Sequence, residues 1–195
     1  MSPSAPKIPG PPALVSVEEY LRQERAAECK HEYFNGEVRP VAGASYARNR
    51  ICSSLTASIG RYLRGSTSCV VESGQRLYVA AANTFCYPDL AVVPGTPEFL
   101  DGQTQENLLN PALLVQVVTP TAEGWAGRFG LYRQLPGLQQ FVLLLASQPY
   151  AEWYWRDEQG RWLLTDTNAR PGVLEVPGIG CEVPLAEVYA GLELA

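Results

Sequence analysis

The chain has 195 residues, 46% of them hydrophobic and 18% charged, and a net charge of −5. These are globular values, and the length suits one sizeable domain with a real core. The acidic balance argues against a general nucleic-acid coat protein, whose affinity comes chiefly from neutralising phosphates, but it leaves room for a local basic patch.

No apolar stretch approaches the roughly 18 residues needed to span a bilayer. Residues Met1 to Pro12 are rich in Pro and Ser with one Lys and no apolar core. They read as a disordered tail rather than a secretory signal, with the domain running from 13 to 195. Next, Ser16 and Glu19 have capping-box spacing, which predicts a helix from Val17 to Glu28. Asn35-Gly36 between strand-like residues predicts a hairpin over Tyr33 to Val38, with Glu37 opening its second strand. A second helix fits Tyr46 to Arg64, burying Ile51, Leu55, Ile59 and Tyr62. Arg50, Arg61 and Arg64 share a flank of it, either a solvated edge or a phosphate-facing stripe. Arg48 points instead toward the side of Ile51.

Strands follow over 68–79, 86–93 and 113–118. The polar connection 94–111 is long enough for a functional loop or a homodimer contact. A third helix spans Glu123 to Leu135, with Arg128 on the face of Trp125, Phe129 and Tyr132. Three strands over 140–145, 150–156 and 161–166, a Glu-Gln-Gly turn at 158–160 and a short helix near Pro184 complete the chain. This order predicts an α+β or α/β fold with a mixed sheet. The aromatics Trp153, Tyr154 and Trp155 suit hairpin packing better than a base-stacking platform.

Five scattered cysteines without CxxC spacing argue against a zinc site or disulfide framework and suit a reducing cytoplasm. The single histidine, His31, excludes multi-histidine metal sites and argues against a Ser-His-Asp triad. Cys29 and His31, two residues apart, do not make a thiol nucleophile, because no orienting acid accompanies them.

Two polar positions stand out. Gln116 interrupts the apolar run Leu113 to Val118, and Asp89 borders the run Leu90 to Val93. An unpaired buried polar group costs roughly 1–3 kcal/mol, so each needs a partner. Each also has a structural reading: Asp89 as a cap after Pro88, Gln116 as an amide bonded to backbone. Glu37 reads as exposed hairpin polarity and Arg128 as a side chain snorkelling past aromatics.

The segments Glu19-Tyr20-Leu21, Lys30-His31-Glu32-Tyr33 with Asn35-Gly36-Glu37-Val38, and Gly43-Ala44-Ser45 occur in order. Tyr87-Pro88-Asp89, Asn110-Pro111 before Val115-Gln116-Val117, and Leu131-Tyr132-Arg133 follow. Together the set resembles the Uma family of predicted restriction endonucleases, within the PD-(D/E)XK nuclease superfamily, from about Leu14 to Leu192. The resemblance implies a restriction-endonuclease-like mixed sheet flanked by helices, with a divalent-metal site for phosphodiester hydrolysis. Mg²⁺ or Mn²⁺ would be held by carboxylates, and a nearby Lys would orient water or stabilise developing charge.

Carried across by the resemblance, Glu37 and Asp89 match the family's acids. Gln116 stands where a Glu is expected, Arg128 where a Lys is expected, and Arg48 where a His is common. The metal set would be Glu37, Asp89 and Gln116, with Arg128 as charge stabiliser; Glu123 is a substitute carboxylate. Arg48, Arg50, Arg61 and Arg64 would be the DNA-facing arginines. All three departures make the site less welcoming to a dication, so Arg128 or Arg48 is expected to pair with Asp89 and Glu37 where a metal would sit. The functional expectation is a metal-dependent DNA endonuclease of weak or lost activity. The alternatives are a dead nuclease-fold module binding nucleic acid or a protein, needing no metal, and an interaction protein without a nucleic-acid role.

Overall fold

Ser16 starts the first helix as its spacing predicts. Its hydroxyl accepts the Glu19 amide at 3.2 Å, and α1 (Val17–Ala26) follows. The computed structural model describes residues 14–119, 125–168 and 172–194, so the predicted tail and Glu123 lie outside the described residues. Asn35 and Gly36, at φ 45° and 108°, join β1 (His31–Phe34) to β2 (Glu37–Pro40). Positive φ at both positions gives the turn whose twist matches the flanking strands.

Helix α2 (Tyr46–Tyr62) is capped by Ser45 and buries Ile51, Leu55 and Ile59. Tyr62, predicted on that face, is instead exposed. The predicted strand 68–79 divides at Ser73-Gly74 into β3 (Cys69–Glu72) and β4 (Arg76–Val79), which enter different sheets. Strands β5 (Thr84–Cys86) and β6 (Leu90–Val93) bracket Tyr87-Pro88-Asp89 in the same way. The predicted connection 94–111 contains β7 (Asn107–Leu108), which pairs in parallel with β4, while Phe99 bridges to Leu108. It is therefore tied to the sheet.

After β8 (Leu113–Val118) come α3 (Trp125–Tyr132), β9 (Gln140–Leu145), β10 (Ala151–Arg156) and β11 (Trp162–Asp166). The chain then forms β12 (Val173–Val176), β13 (Cys181–Pro184) and α4 (Leu185–Val188). The hairpin of β12 and β13 has no counterpart in the sequence reading. Its strands are four residues each and Pro177 to Gly180 separate them, so no long alternation betrays it.

The strands form a six-stranded sheet in the order β11-β10-β9-β8-β6-β3, a five-stranded sheet β2-β1-β5-β4-β7, and the β12-β13 pair. Parallel pairing of β8 with β9 requires the crossover that carries α3. On one face of the larger sheet, Leu90, Val92, Val115, Val117 and Val142 pack with Ile51, Leu55 and Ile59 of α2. On the other, Ala91, Leu114, Phe141 and Leu143 pack with Tyr132, Leu135 and Leu138. A sheet covered on both faces explains the unbroken apolar run of β8. The result is the expected mixed α+β architecture.

Trp153 is fully buried, and Tyr154 stacks on Phe129 with ring centroids 3.8 Å apart, so two of the hairpin aromatics are packing residues. Among the described residues, no helix is long and apolar enough to cross a membrane.

Candidate functional site

Period-two geometry sets Gln116 on the same face of β8 as Leu114, where it is 6% exposed among apolar neighbours. Its amide is nonetheless engaged at both ends. Nε2 donates to Asp89 Oδ2 at 2.7 Å, and Oε1 accepts from the Tyr132 hydroxyl at 3.3 Å. Because an ionised carboxylate only accepts, this arrangement turns the amide nitrogen toward Asp89.

Asp89 lies immediately before β6. Its backbone amide donates to Val115 O at 3.0 Å, and its Oδ2 accepts the Val117 amide at 2.8 Å. The side chain thus continues the ladder that Leu90 and Val115 begin. The other oxygen, Oδ1, receives Nε of Arg48 at 2.6 Å. Asp89 is 3% exposed and the Arg48 side chain 22%, so this is a largely buried ion pair. Local structure aims Arg48 there: Ser45 caps α2, accepting the Arg48 amide at 3.2 Å, and holds this residue in the first turn over the sheet.

A second ion pair lies alongside. Arg128, on α3, places Nη1 and Nη2 on the two oxygens of Glu32 at 2.9 and 2.7 Å, a bidentate fork. Glu32 Oε1 also accepts the Tyr87 amide at 3.2 Å. Burial works against the charge on Arg128, but Tyr132 and the bonded Glu32 together hold its pKa above the ordinary arginine value. Tyr87 is fixed from its far end, where its hydroxyl donates to Glu24 at 2.8 Å. Glu24 in turn contacts His31 Nδ1 at 3.0 Å, so an acid does accompany the single histidine, which the sequence did not show, and the pair serves this outer network.

Glu32, Arg48, Gln116 and Arg128, with Ser45 and Thr119, line a cavity of about 310 Å³. A neighbouring cavity of about 330 Å³ shares Arg48 in its wall and is lined also by Lys30, Asn49, Cys52 and Asp89. Burial, with Asp89 nearby, pushes the Cys52 thiol up to about 12, so it is no nucleophile at neutral pH.

The residues expected from the sequence separate into two groups. Asp89, Gln116, Arg128 and Arg48 converge on the cavity region, and the expected pairing of an arginine with Asp89 is present. Glu37 does not join them. It is exposed on β2, an edge strand, and pairs with Arg39 at 2.6 Å. It faces Phe34 at the turn end of the hairpin, whereas Glu32 pairs with Arg39 further along, on a strand flanked by β2 and β5. The hairpin acid at the cavity is thus the one before the Asn-Gly turn, and it is Glu32 that Arg128 engages. The sequence carried no signal for this choice, because Glu32 and Tyr33 are neighbours and both are buried, on a strand that only the sheet order makes interior.

The arginines of α2 also part company. Arg50 Nη2 reaches Ala190 O at 3.4 Å, and Arg61 pairs with Glu187 at 2.7 Å. Arg64 is exposed beyond the end of the helix. They do not form one stripe with Arg48, because Arg50 and Arg61 turn toward the C-terminal segment.

A divalent cation of the kind the family resemblance implies would need unengaged oxygens. Both oxygens of Asp89 and both of Glu32 already accept hydrogen bonds, and Gln116 presents its nitrogen, not its oxygen, to Asp89. Among the described residues, no group of three or more His, Cys, Asp or Glu is placed to hold a metal. The side chains as arranged do not fit one.

Comparison with known proteins agrees with the fold. A Synechocystis protein, the uncharacterized sll1609, is 32% identical over 164 residues, covering 83% of this chain and 92% of its own length. A second from the same organism, slr1290, is 30% identical over 193 residues, covering 98% and 97%. The crystal structure of "a putative nuclease belonging to DUF820" from Anabaena variabilis superposes with a TM-score of 0.72 at 13% identity, covering 90% of this chain and 98% of that one. The profile of the Uma2 family, described as "Putative restriction endonuclease", matches residues 17–186, and the chain belongs to that family.

Proposed function

We propose that this domain uses the nuclease fold to engage DNA and has lost metal-dependent phosphodiester hydrolysis. One observation carries the reading: Arg48 and Arg128 occupy the carboxylates of Asp89 and Glu32 at 2.6–2.9 Å. Two carboxylates and two guanidinium groups cancel, so the cleft lacks the negative potential that draws in a dication. Arginine keeps its proton at any relevant pH and cannot release the acids in the way a lysine or a histidine could. Gln116 completes the change, since an amide brings no charge. Membership of a nuclease family supports DNA as the ligand, and the free thiols of the five cysteines suit a reducing cytoplasm.

Incubation of supercoiled plasmid with Mg²⁺ or Mn²⁺ tests this. Wild-type protein is expected to leave the plasmid intact, and the Gln116→Glu, Arg128→Lys double variant to show whether the scaffold still supports cleavage. Nicking by wild type that disappears with Asp89→Ala would overturn the reading and make this a working nuclease.

A further inference from the structure

In a metal-dependent nuclease the acids of the site repel the phosphate of the substrate until a cation stands between them. Here a cation is already there, and it belongs to the protein. Resting on the reading above, we infer that Arg48 anchors a DNA backbone phosphate in the 310 Å³ cavity without any metal, bridging Asp89 on one edge and phosphate on the other.

Three features carry this. A guanidinium has five N–H donors in a planar fork, and Asp89 takes the Nε–H of Arg48 at 2.6 Å. Among the described residues that is the hydrogen bond its guanidinium makes, and the side chain keeps 22% exposure and lines a cavity of phosphate-bearing size. Second, the cavity wall has no unpaired acid among the described residues, because Arg128 holds both oxygens of Glu32. An entering anion therefore meets no uncompensated negative charge. Third, the lining supplies hydroxyl donors. Ser45 Oγ accepts the Arg48 amide, which leaves its own O–H to donate, and Thr119 lines the same wall. Elsewhere on α2, Arg61 is committed to Glu187, and Arg50 to Ala190.

The test uses fluorescence anisotropy of a labelled DNA duplex with the full chain in EDTA, across a salt series. Arg48→Gln combined with Asp89→Asn removes one positive and one negative charge, so the net charge of the protein is unchanged. The long-range field is thereby preserved, while the proposed phosphate contact is lost. Wild type should bind in EDTA, and the paired variant should show a slope of log K against log salt shallower by about 0.9, the release of one counterion. If circular dichroism shows the paired variant unfolded, Arg48→Lys replaces it. A lysine can satisfy Asp89 but has no outer fork, and affinity should fall about tenfold, the worth of one charged hydrogen bond.

Unchanged slope and affinity in a folded variant would overturn the inference while leaving DNA binding intact. Binding by wild type that requires Mg²⁺ or Mn²⁺ would overturn it as well. Absence of DNA binding under every condition would remove both the inference and the reading on which it rests.

Discussion

Arg48 Nε lies 2.6 Å from Asp89 Oδ1, joining residues 41 apart in sequence, and the carboxylate it meets is 3% exposed. A buried ion pair need not add net stability, because desolvation offsets much of the attraction, but breaking one side of it is costly. Arg48→Ala should destabilise by about 3–5 kcal/mol, since a buried carboxylate is left with only the Gln116 and Val117 donors. Adding Asp89→Asn should recover a large part of the loss. Urea denaturation of the two single variants and the double variant measures the coupling; additive effects would mean the pair does not interact as described.

The two hairpin acids should behave differently. Glu37→Ala removes an exposed ion pair with Arg39 and should change stability by less than about 0.5 kcal/mol. Glu32→Ala strands a mostly buried Arg128 and the Tyr87 amide, and should cost about 2–4 kcal/mol. Denaturation midpoints decide this, and equal effects would contradict the placement of Glu32.

Gln116→Glu sets a second carboxylate against Asp89 Oδ2, where an amide hydrogen now lies at 2.7 Å. Like charges at that distance disfavour double ionisation, so the new acid will have a raised folded pKa. A raised pKa contributes stability below the unfolded value that is lost as pH rises through the folded one. The variant should therefore melt well below wild type at pH 7 and close to it at pH 4, which a thermal scan at both values reads. Mn²⁺ should restore little while Arg48 occupies Oδ1, and more when Arg48→Ala is added.

Thiol reactivity offers an independent check on the cleft. Burial raises the pKa of Cys52 and Cys86 to about 12 and of Cys181 to about 11. All three stay protonated at pH 8, whereas Cys29 is exposed. Brief alkylation followed by mass spectrometry should modify Cys29 first and leave Cys52, Cys86 and Cys181 unmodified. Fast modification of Cys52 would mean that this thiol is less buried than the structure shows.

Much of this was legible in the sequence because its causes are local. Capping at Ser16, the Asn35-Gly36 turn and the apolar runs of β6 and β8 each follow from a few consecutive residues and the period of the backbone. The oddness of Gln116 in such a run, and the need of Asp89 for a partner, were legible for the same reason. Which partner each found was not. The choice of Glu32 over Glu37 depends on β1 lying between β2 and β5, and the division of 68–79 depends on two strands entering different sheets. The turn of Arg48 toward Asp89 while Arg50 and Arg61 face the C-terminal segment is likewise decided by what packs against each side of α2. A lone side chain carries its charge and reach in its own covalent structure, but an ion pair between residues 41 or 96 apart is a property of the packed chain.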